Sequence, residues 1–370
     1  MFDEKKFILK RKIKVALIGC GRISRNHVKS ILLHNKDLEL VALCDNNKKQ
    51  IENLQSFLLD FSNEIKTKID FSNIKCFNSD DQMFLELDNS SLDLVILTTP
   101  SGMHPMQTIK AAKLGINVCT EKPMATKWED GVSMLEACKE NNVHLFVVKQ
   151  NRFNSTIELV RNQINSGRFG KIGLVNVNVF WQRPQSYYDQ DNWRGTWELD
   201  GGALMNQASH YVDLLDWMIG PVENIFASTA TIAREIEVED TAVLQIKWAS
   251  GALGTMAVTM ITYPENLEGS ITILGDKGTV KIGGKAVNKI EEWAFSDNHP
   301  DDLKVKNASY ETTNVYGFGH PPYYANMIKA LRGLTDPICS GEEGLKSLEL
   351  LIASYRSSQS GERISLPLKR

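Results

Sequence analysis

Cysteine is scarce in this chain of 370 residues: Cys20, Cys44, Cys76, Cys119, Cys138 and Cys339 are scattered, with no CxxC pair and no Cys/His cluster at metal-ligand spacing. A disulfide scaffold and a structural zinc site are thereby excluded, and reduced thiols in a cytoplasmic setting are expected. No apolar run approaches the ~18 residues of a membrane span. The stretch from Met1 to Arg11 is charged and lacks the apolar core of a secretory signal, so export is not expected either. Basic excess is missing too, since a formal net charge of −3 argues against a nucleic-acid surface. There is no internal repeat and no low-complexity segment. What remains, 42% hydrophobic and 24% charged, is enough to bury a sizeable core in two domains.

The richest local pattern starts at Val15. The apolar run Val15 to Ile18 reads as a strand buried on both faces of a parallel sheet. Gly19 permits the tight turn that follows, Gly21 lets backbone approach a pyrophosphate, and Ser24 is small enough to keep helix and strand close. The next helix would turn free N–H groups and the positive end of its dipole toward phosphates. A second strand, Leu38 to Cys44, is followed by Asp45, near the ~20-residue offset at which an acid binds the adenosine ribose 2′-OH. Asp45 would repel a 2′-phosphate, and Asn46 and Asn47 offer no arginine to hold one, so NAD is expected rather than NADP.

Strand and helix signals alternate to about residue 150. Helices are expected over Lys48 to Leu58, Pro105 to Leu114 and Lys127 to Asn141, and strands near Lys75 to Phe77, Leu92 to Thr99, Ile116 to Cys119 and Val143 to Val148. Such alternation predicts a doubly wound parallel sheet, the Rossmann arrangement, over residues 1–150. From about Leu174 the texture changes to period-two strands, Val175 to Trp181, Thr241 to Trp248, Leu253 to Thr262 and Ser270 to Leu274. Gly251 and Gly275 to Gly278 stand where hairpin turns belong. Residues 151–370 thus read as a domain on a large, open, mostly antiparallel sheet, with one helix over Gly202 to Met218 and a final pair near Tyr323 to Leu331 and Gly341 to Ser357. The overall class is α/β followed by α+β.

Four motifs in order, Gly19-Cys-Gly-Arg-Ile-Ser24, Thr98-Thr-Pro-Ser-Gly-Met-His104, Ala111 to Ala125 with its Glu121-Lys-Pro123 core, and Gly201 to Asp213, resemble the glucose-fructose oxidoreductase/inositol dehydrogenase (Gfo/Idh/MocA) family over nearly the whole chain. Within it, Tyr187 to Trp197, Met205 to His210 and Asn314 to His320 are most similar to bacterial UDP-N-acetyl-2-amino-2-deoxyglucuronate 3-dehydrogenases of cell-surface polysaccharide synthesis. The open sheet would leave the apolar outward positions of Leu253 to Thr262 and Ser270 to Leu274 exposed in a monomer, so a homo-oligomer, dimer or tetramer, is expected. The resemblance implies NAD contacts from Gly19, Gly21, Arg22, Ile23, Asp45, Thr98, Pro100, Ser101, His104, Glu121 and Lys122. A polar stretch from Leu59 to Ile74 is longer than the family usually carries.

Oxidising an alcohol by hydride transfer needs the nicotinamide C4 near the carbinol carbon and a base for the hydroxyl proton. An ordinary lysine is neutral at pH 7 only about once in 2,500, a penalty of about 4.6 kcal/mol that desolvation and nearby positive charge would reduce. Lys122, after the fifth strand, is the expected base, or the donor to the reacting oxygen if His210 is the base. Asn206, four residues before His210, is expected on the same helix face, at a position where many relatives carry an acid. Asp213 is placed to orient the His210 imidazole. Arg152, Arg183 and Arg194, with Trp181, Trp193 and Trp197, suit an anionic, ring-bearing substrate, because arginine forks take carboxylate and phosphate oxygens bidentately. Tyr316 and His320 are expected to wall the same pocket, and no metal is expected. The function so implied is NAD-dependent oxidation of the C3 hydroxyl of a UDP-linked N-acetylated sugar acid. An inositol or simple-sugar dehydrogenase, an NAD-dependent glycosidase and a non-catalytic dinucleotide-binding regulator stand as alternatives.

Overall fold

A computed structural model describes residues 7–67, 70–312 and 317–369, so Tyr316 lies outside the described residues. The chain divides into two compact units. One is the segment ending at Val148 together with His320–Leu345, and the other is Lys149–Gly319 together with the segment starting at Lys346. Two continuous domains, 1–150 and 151–370, therefore miss the return of His320–Leu345 to the first unit.

In the first unit, strands and helices alternate as β1 (Ile13–Ile18), α1 (Ser24–Leu33), β2 (Leu38–Cys44), α2 (Lys48–Glu64), β3 (Lys75–Phe77), α3 (Asp80–Glu86), β4 (Leu94–Leu97), α4 (His104–Lys113), β5 (Asn117–Thr120), α5 (Trp128–Glu140) and β6 (Leu145–Val147). The six strands are parallel in the order β3-β2-β1-β4-β5-β6. Chain order reverses between β1 and β4, which opens a crevice beyond their carboxyl ends. Apart from Lys14, β1 and β4 are apolar because helices cover both faces of such a sheet: Val15, Ala16, Leu17, Leu94, Val95, Ile96 and Leu97 are fully buried. Part of the long polar stretch is helix, since α2 runs on to Glu64 and buries Phe61. The apolar spacing Ile51, Leu54, Leu58, Phe61 carries the core-facing stripe past the expected end at Leu58.

The second unit begins with α6 (Ser155–Asn165) and the long strand β7 (Ile172–Phe180), then α7 (Gln185–Tyr188), a five-residue π-helical turn Ala203–Gln207 and α8 (Ser209–Ile219). Six more strands complete the meander: β8 (Val222–Ala230), β9 (Thr241–Trp248), β10 (Leu253–Thr259), β11 (Glu268–Gly275), β12 (Gly278–Gly283) and β13 (Lys289–Phe295), with β14 (Ile364–Ser365) near the C-terminus. Their order is β13-β12-β11-β7-β10-β9-β8-β14, antiparallel except where β7 runs parallel to β10. Alternation sorts the residues. Val175, Val177, Val179, Leu244, Ile246, Met256, Val258, Ile271 and Ile273 point into the core, where the Trp248 indole N–H donates to the Leu215 carbonyl of α8 at 3.3 Å. On the opposite face Leu174, Val243, Leu253 and Leu274 are 44%, 51%, 55% and 36% exposed. Leu174 is paired in register with both Leu253 and Leu274, giving an uncovered apolar row across three strands.

Candidate active site

In the first unit, the ends of β1, β4 and β5 bring most of the expected cofactor residues to one edge. Gly19 adopts φ +94°, and a Cβ there would stand 2.7 Å from the Thr98 carbonyl, so no other residue fits. Thr98 returns the contact by donating its hydroxyl to the carbonyls of Ile18 and Gly19. Gly21 differs, because a Cβ on it would meet nothing within 4 Å. The space beside its backbone is open. Arg22 is exposed and Ile23 half-buried ahead of Ser24, which starts α1. Asp45 braces this turn, its carboxylate accepting the Cys20 amide at 2.7 Å and the Asn47 amide at 2.8 Å. Pro100 and buried Ser101 open the one-turn helix Ser101–Met103.

His104, expected at the cofactor, ties two turns together. It is 1% exposed, with Nδ1 3.1 Å from the Pro123 carbonyl and Nε2 3.0 Å from the Thr99 carbonyl. Burial lowers its pKa although both carbonyls favour a proton, and the ring bridges the β4 turn and the residue after Lys122. Glu121 is likewise engaged within the protein: one carboxylate oxygen accepts from His27 Nε2 at 2.9 Å and the other from the Lys122 amide at 3.0 Å. Burial opposes its charge, yet the His27 bond, with His27, Lys122 and His320 nearby, overrides this and holds Glu121 down at about 2. Lys122 itself is half-buried.

His320 belongs to this first unit. It is buried edge-on to His27, with ring centroids 5.6 Å apart, and burial pushes its pKa down to about 3. His27, Glu121 and His320 form the one group among the described residues whose donor atoms could enclose a metal ion. The 2.9 Å between His27 and Glu121 is a hydrogen bond, and His27 Nδ1 is engaged with the Tyr324 hydroxyl at 2.7 Å. A shared proton accounts for that geometry without an ion.

In the second unit the region read as one helix is broken. The Glu239 carboxylate takes the Leu204 amide at 2.8 Å, and the Glu239 carbonyl takes the Ala203 amide at 3.0 Å. This anchors the π-helical turn ahead of α8, and a Cβ on Gly202 would fall 1.7 Å from Glu239 Oε2. Asn206 lies in that turn and donates to Asp200, whereas His210 lies in α8 with Nε2 3.0 Å from the Gln150 side-chain amide. The expected common helical face is therefore absent.

Asp213 does not orient His210. Its carboxylate accepts Arg152 Nε at 2.8 Å and Nη2 at 2.6 Å and the Ser347 hydroxyl at 2.8 Å, with Lys149 Nζ at 3.5 Å. Burial disfavours the charge, but Arg152 and Lys149 hold Asp213 far below the usual carboxylate range. Arg152, expected at a substrate anion, is thus neutralised inside the protein at 3% exposure. Arg194 is better placed. It lies over the Trp193 and Tyr187 rings, at 4.5 and 4.6 Å, and donates to Asp191 at 3.0 Å and to the Tyr187 hydroxyl at 2.9 Å. Arg183 bonds Gln207 at 2.9 Å and stacks on Trp181, while Trp197 packs edge-on against Tyr355. Sequence reasoning missed His27, Gln150, Tyr324 and Glu239, since no local spacing marks partners so distant in the chain.

Residues 13–149 match the NAD-binding Rossmann-fold domain of the GFO_IDH_MocA oxidoreductase family, and residues 161–366 its C-terminal alpha/beta domain. The structure is similar to that of the WlbA dehydrogenase from Bordetella pertussis, solved with NADH and UDP-GlcNAcA: 55% identity, TM-score 0.89, over 98% of this chain and 100% of that one. The WlbA dehydrogenase from Chromobacterium violaceum, solved with the same two ligands, is 53% identical over 98% of this chain and 99% of that one, with TM-score 0.88. The scyllo-inositol 2-dehydrogenase (NAD(+)) of Bacillus subtilis is 22% identical over 98% of each chain. From the glycine turn of β1 to the open sheet of the second unit, this chain belongs to the Gfo/Idh/MocA family of NAD-dependent oxidoreductases.

Proposed function

We propose that this protein oxidises the C3 hydroxyl of UDP-GlcNAcA, or a close UDP-linked N-acetylated sugar acid, to a ketone with NAD as oxidant. The observation that carries this reading is the 55% identity, over 98% of the chain, to a dehydrogenase whose structure contains NADH and UDP-GlcNAcA. Bound NAD supplies the hydride acceptor at its nicotinamide C4. Among the residues of the chain, Gly19 and Gly21 give the pyrophosphate room, Thr98 to Ser101 flank it, and Asp45 accepts from the adenosine ribose while repelling a 2′-phosphate. Lys122 is the base that takes the hydroxyl proton. His210 orients the substrate hydroxyl, or takes its proton if Lys122 is the donor to the reacting oxygen. Asn206, Trp193 and Arg194 are the proposed substrate contacts, Arg194 for an anionic oxygen.

A homo-oligomer accompanies this reading. The apolar row of Leu174, Leu253 and Leu274 with Val243 is an exposed patch that a second copy would cover. Cytoplasmic placement in polysaccharide synthesis fits six free thiols and the lack, among the described residues, of any helix long and apolar enough to cross a membrane.

The test is a substrate panel of UDP-GlcNAcA, UDP-GlcNAc, myo-inositol and glucose with NAD, followed by NADH absorbance. Turnover should be confined to the sugar acid. Equal turnover of a neutral sugar would replace this reading with a polyol dehydrogenase.

A further inference from the structure

The buried row Tyr324, His27, Glu121 leads to the backbone of Lys122 and to nothing else in the mechanism. His27 sits in α1, the helix that follows the glycine turn, and is fully buried, as is Tyr324. Burial holds the Tyr324 hydroxyl protonated far above neutral pH. In the neutral ring it donates to His27 Nδ1 at 2.7 Å, which leaves the Nε2 proton for Glu121 at 2.9 Å. The other oxygen of Glu121 accepts the Lys122 amide at 3.0 Å. A carboxylate 7% exposed remains an anion only if donors replace its water, and His27 and the Lys122 amide are the two that bond it. The orientation of Glu121, and with it the start of the Lys122 side chain, therefore depends on His27.

We propose that His27 is a positioning residue for Lys122, holding Glu121 in the geometry that fixes the Lys122 backbone and tying that backbone to helix α1. The inference rests on the assignment of Lys122 as base. It predicts two effects of losing the His27 donor. Lys122 is no longer held in one place, so the plateau kcat falls. The buried carboxylate, short of a donor, also takes up a proton, which removes the anion that stabilises the Lys122 ammonium. The free amine then appears at lower pH. The titratable groups facing Glu121 are His27, His104, Cys119, Lys122, His320 and Tyr324, and His27 donates to its side chain at 2.9 Å.

The experiment compares pH profiles of kcat for wild type, His27→Leu, His27→Gln, Glu121→Gln and Lys122→Met, with KM for NAD measured alongside. His27→Leu should lower kcat by about tenfold, keep KM for NAD within about threefold and move the rising limb of the profile to lower pH. Glu121→Gln should move the limb in the same direction, and His27→Gln, which restores an N–H donor, should recover most of kcat. Should His27→Leu fail to fold, Tyr324→Phe, which removes only the hydroxyl, should still lower kcat by about twofold or more and shift the limb. An inactive Lys122→Met beside His27 and Tyr324 variants with wild-type kcat and an unmoved limb would overturn the positioning role alone. An active Lys122→Met would instead overturn the base assignment beneath it.

Discussion

Glu239 is a buried acid whose titration ought to be visible in the stability of the protein. It is 3% exposed, with Oε1 accepting from the Leu204 amide and the Tyr355 hydroxyl, and with no bond to Oε2. Burial raises its pKa from 4.5 to about 7, helped by Asp240 and opposed by those hydrogen bonds. The folded state thus binds this proton more tightly than the unfolded chain. Its contribution is fully present below pH ~4.5 and is lost as pH rises through ~7. A displacement of roughly 2.5 units at 1.36 kcal/mol each puts the loss at about 3 kcal/mol, as an order of magnitude. Glu239→Gln keeps the Oε1 acceptor and cannot titrate. Its NH2 group takes the unbonded Oε2 position at a cost of about 1–3 kcal/mol that does not change with pH. The observable is therefore the difference between two curves. Urea unfolding followed by tryptophan fluorescence, at intervals from pH 4.5 to 8, should show wild type losing about 3 kcal/mol relative to the variant, all of it below pH ~7.5. Parallel curves would refute the reasoning.

Asp45→Asn keeps the shape that braces the Cys20 amide but removes the charge, so preference for NAD over NADP should narrow by about tenfold or more, measured by titration of both cofactors; an unchanged ratio would clear Asp45 of that role. Arg194→Ala should raise KM for the UDP-sugar acid by about 2 kcal/mol of lost binding or more, with little effect on any neutral sugar that turns over, and equal effects on both would remove Arg194 from anion recognition. Light scattering at micromolar concentration should give at least twice the 41.6 kDa chain mass, and Leu253→Lys in the exposed row should reduce it. Dialysis against EDTA should leave activity unchanged, because His27 and Glu121 are joined by a hydrogen bond that needs no ion.

The parallel strands were legible in the sequence because a strand covered on both faces must be apolar without interruption, as Val15 to Ile18 and Leu94 to Leu97 are. The outer sheet was legible for the complementary reason, alternation against one core. What escaped reading depends on partners remote in the chain. The helix expected over Gly202 to Met218 breaks because the Glu239 carboxylate, 35 positions after Leu204, takes an amide at its start. Arg152 and Asp213, 61 positions apart, each look available when read singly and neutralise each other when folded. His320 carried a resemblance-based role, yet its place is set by burial beside His27.

The most direct test of the central claim uses UDP-GlcNAcA deuterated at C3 with unlabelled NAD under single-turnover conditions. Mass spectrometry of the cofactor should find the label on the reduced nicotinamide, with a slower rate than for the protiated sugar if hydride transfer limits that turnover. Unlabelled NADH, or no reduced cofactor at all, would contradict oxidation at C3 and the function built on it.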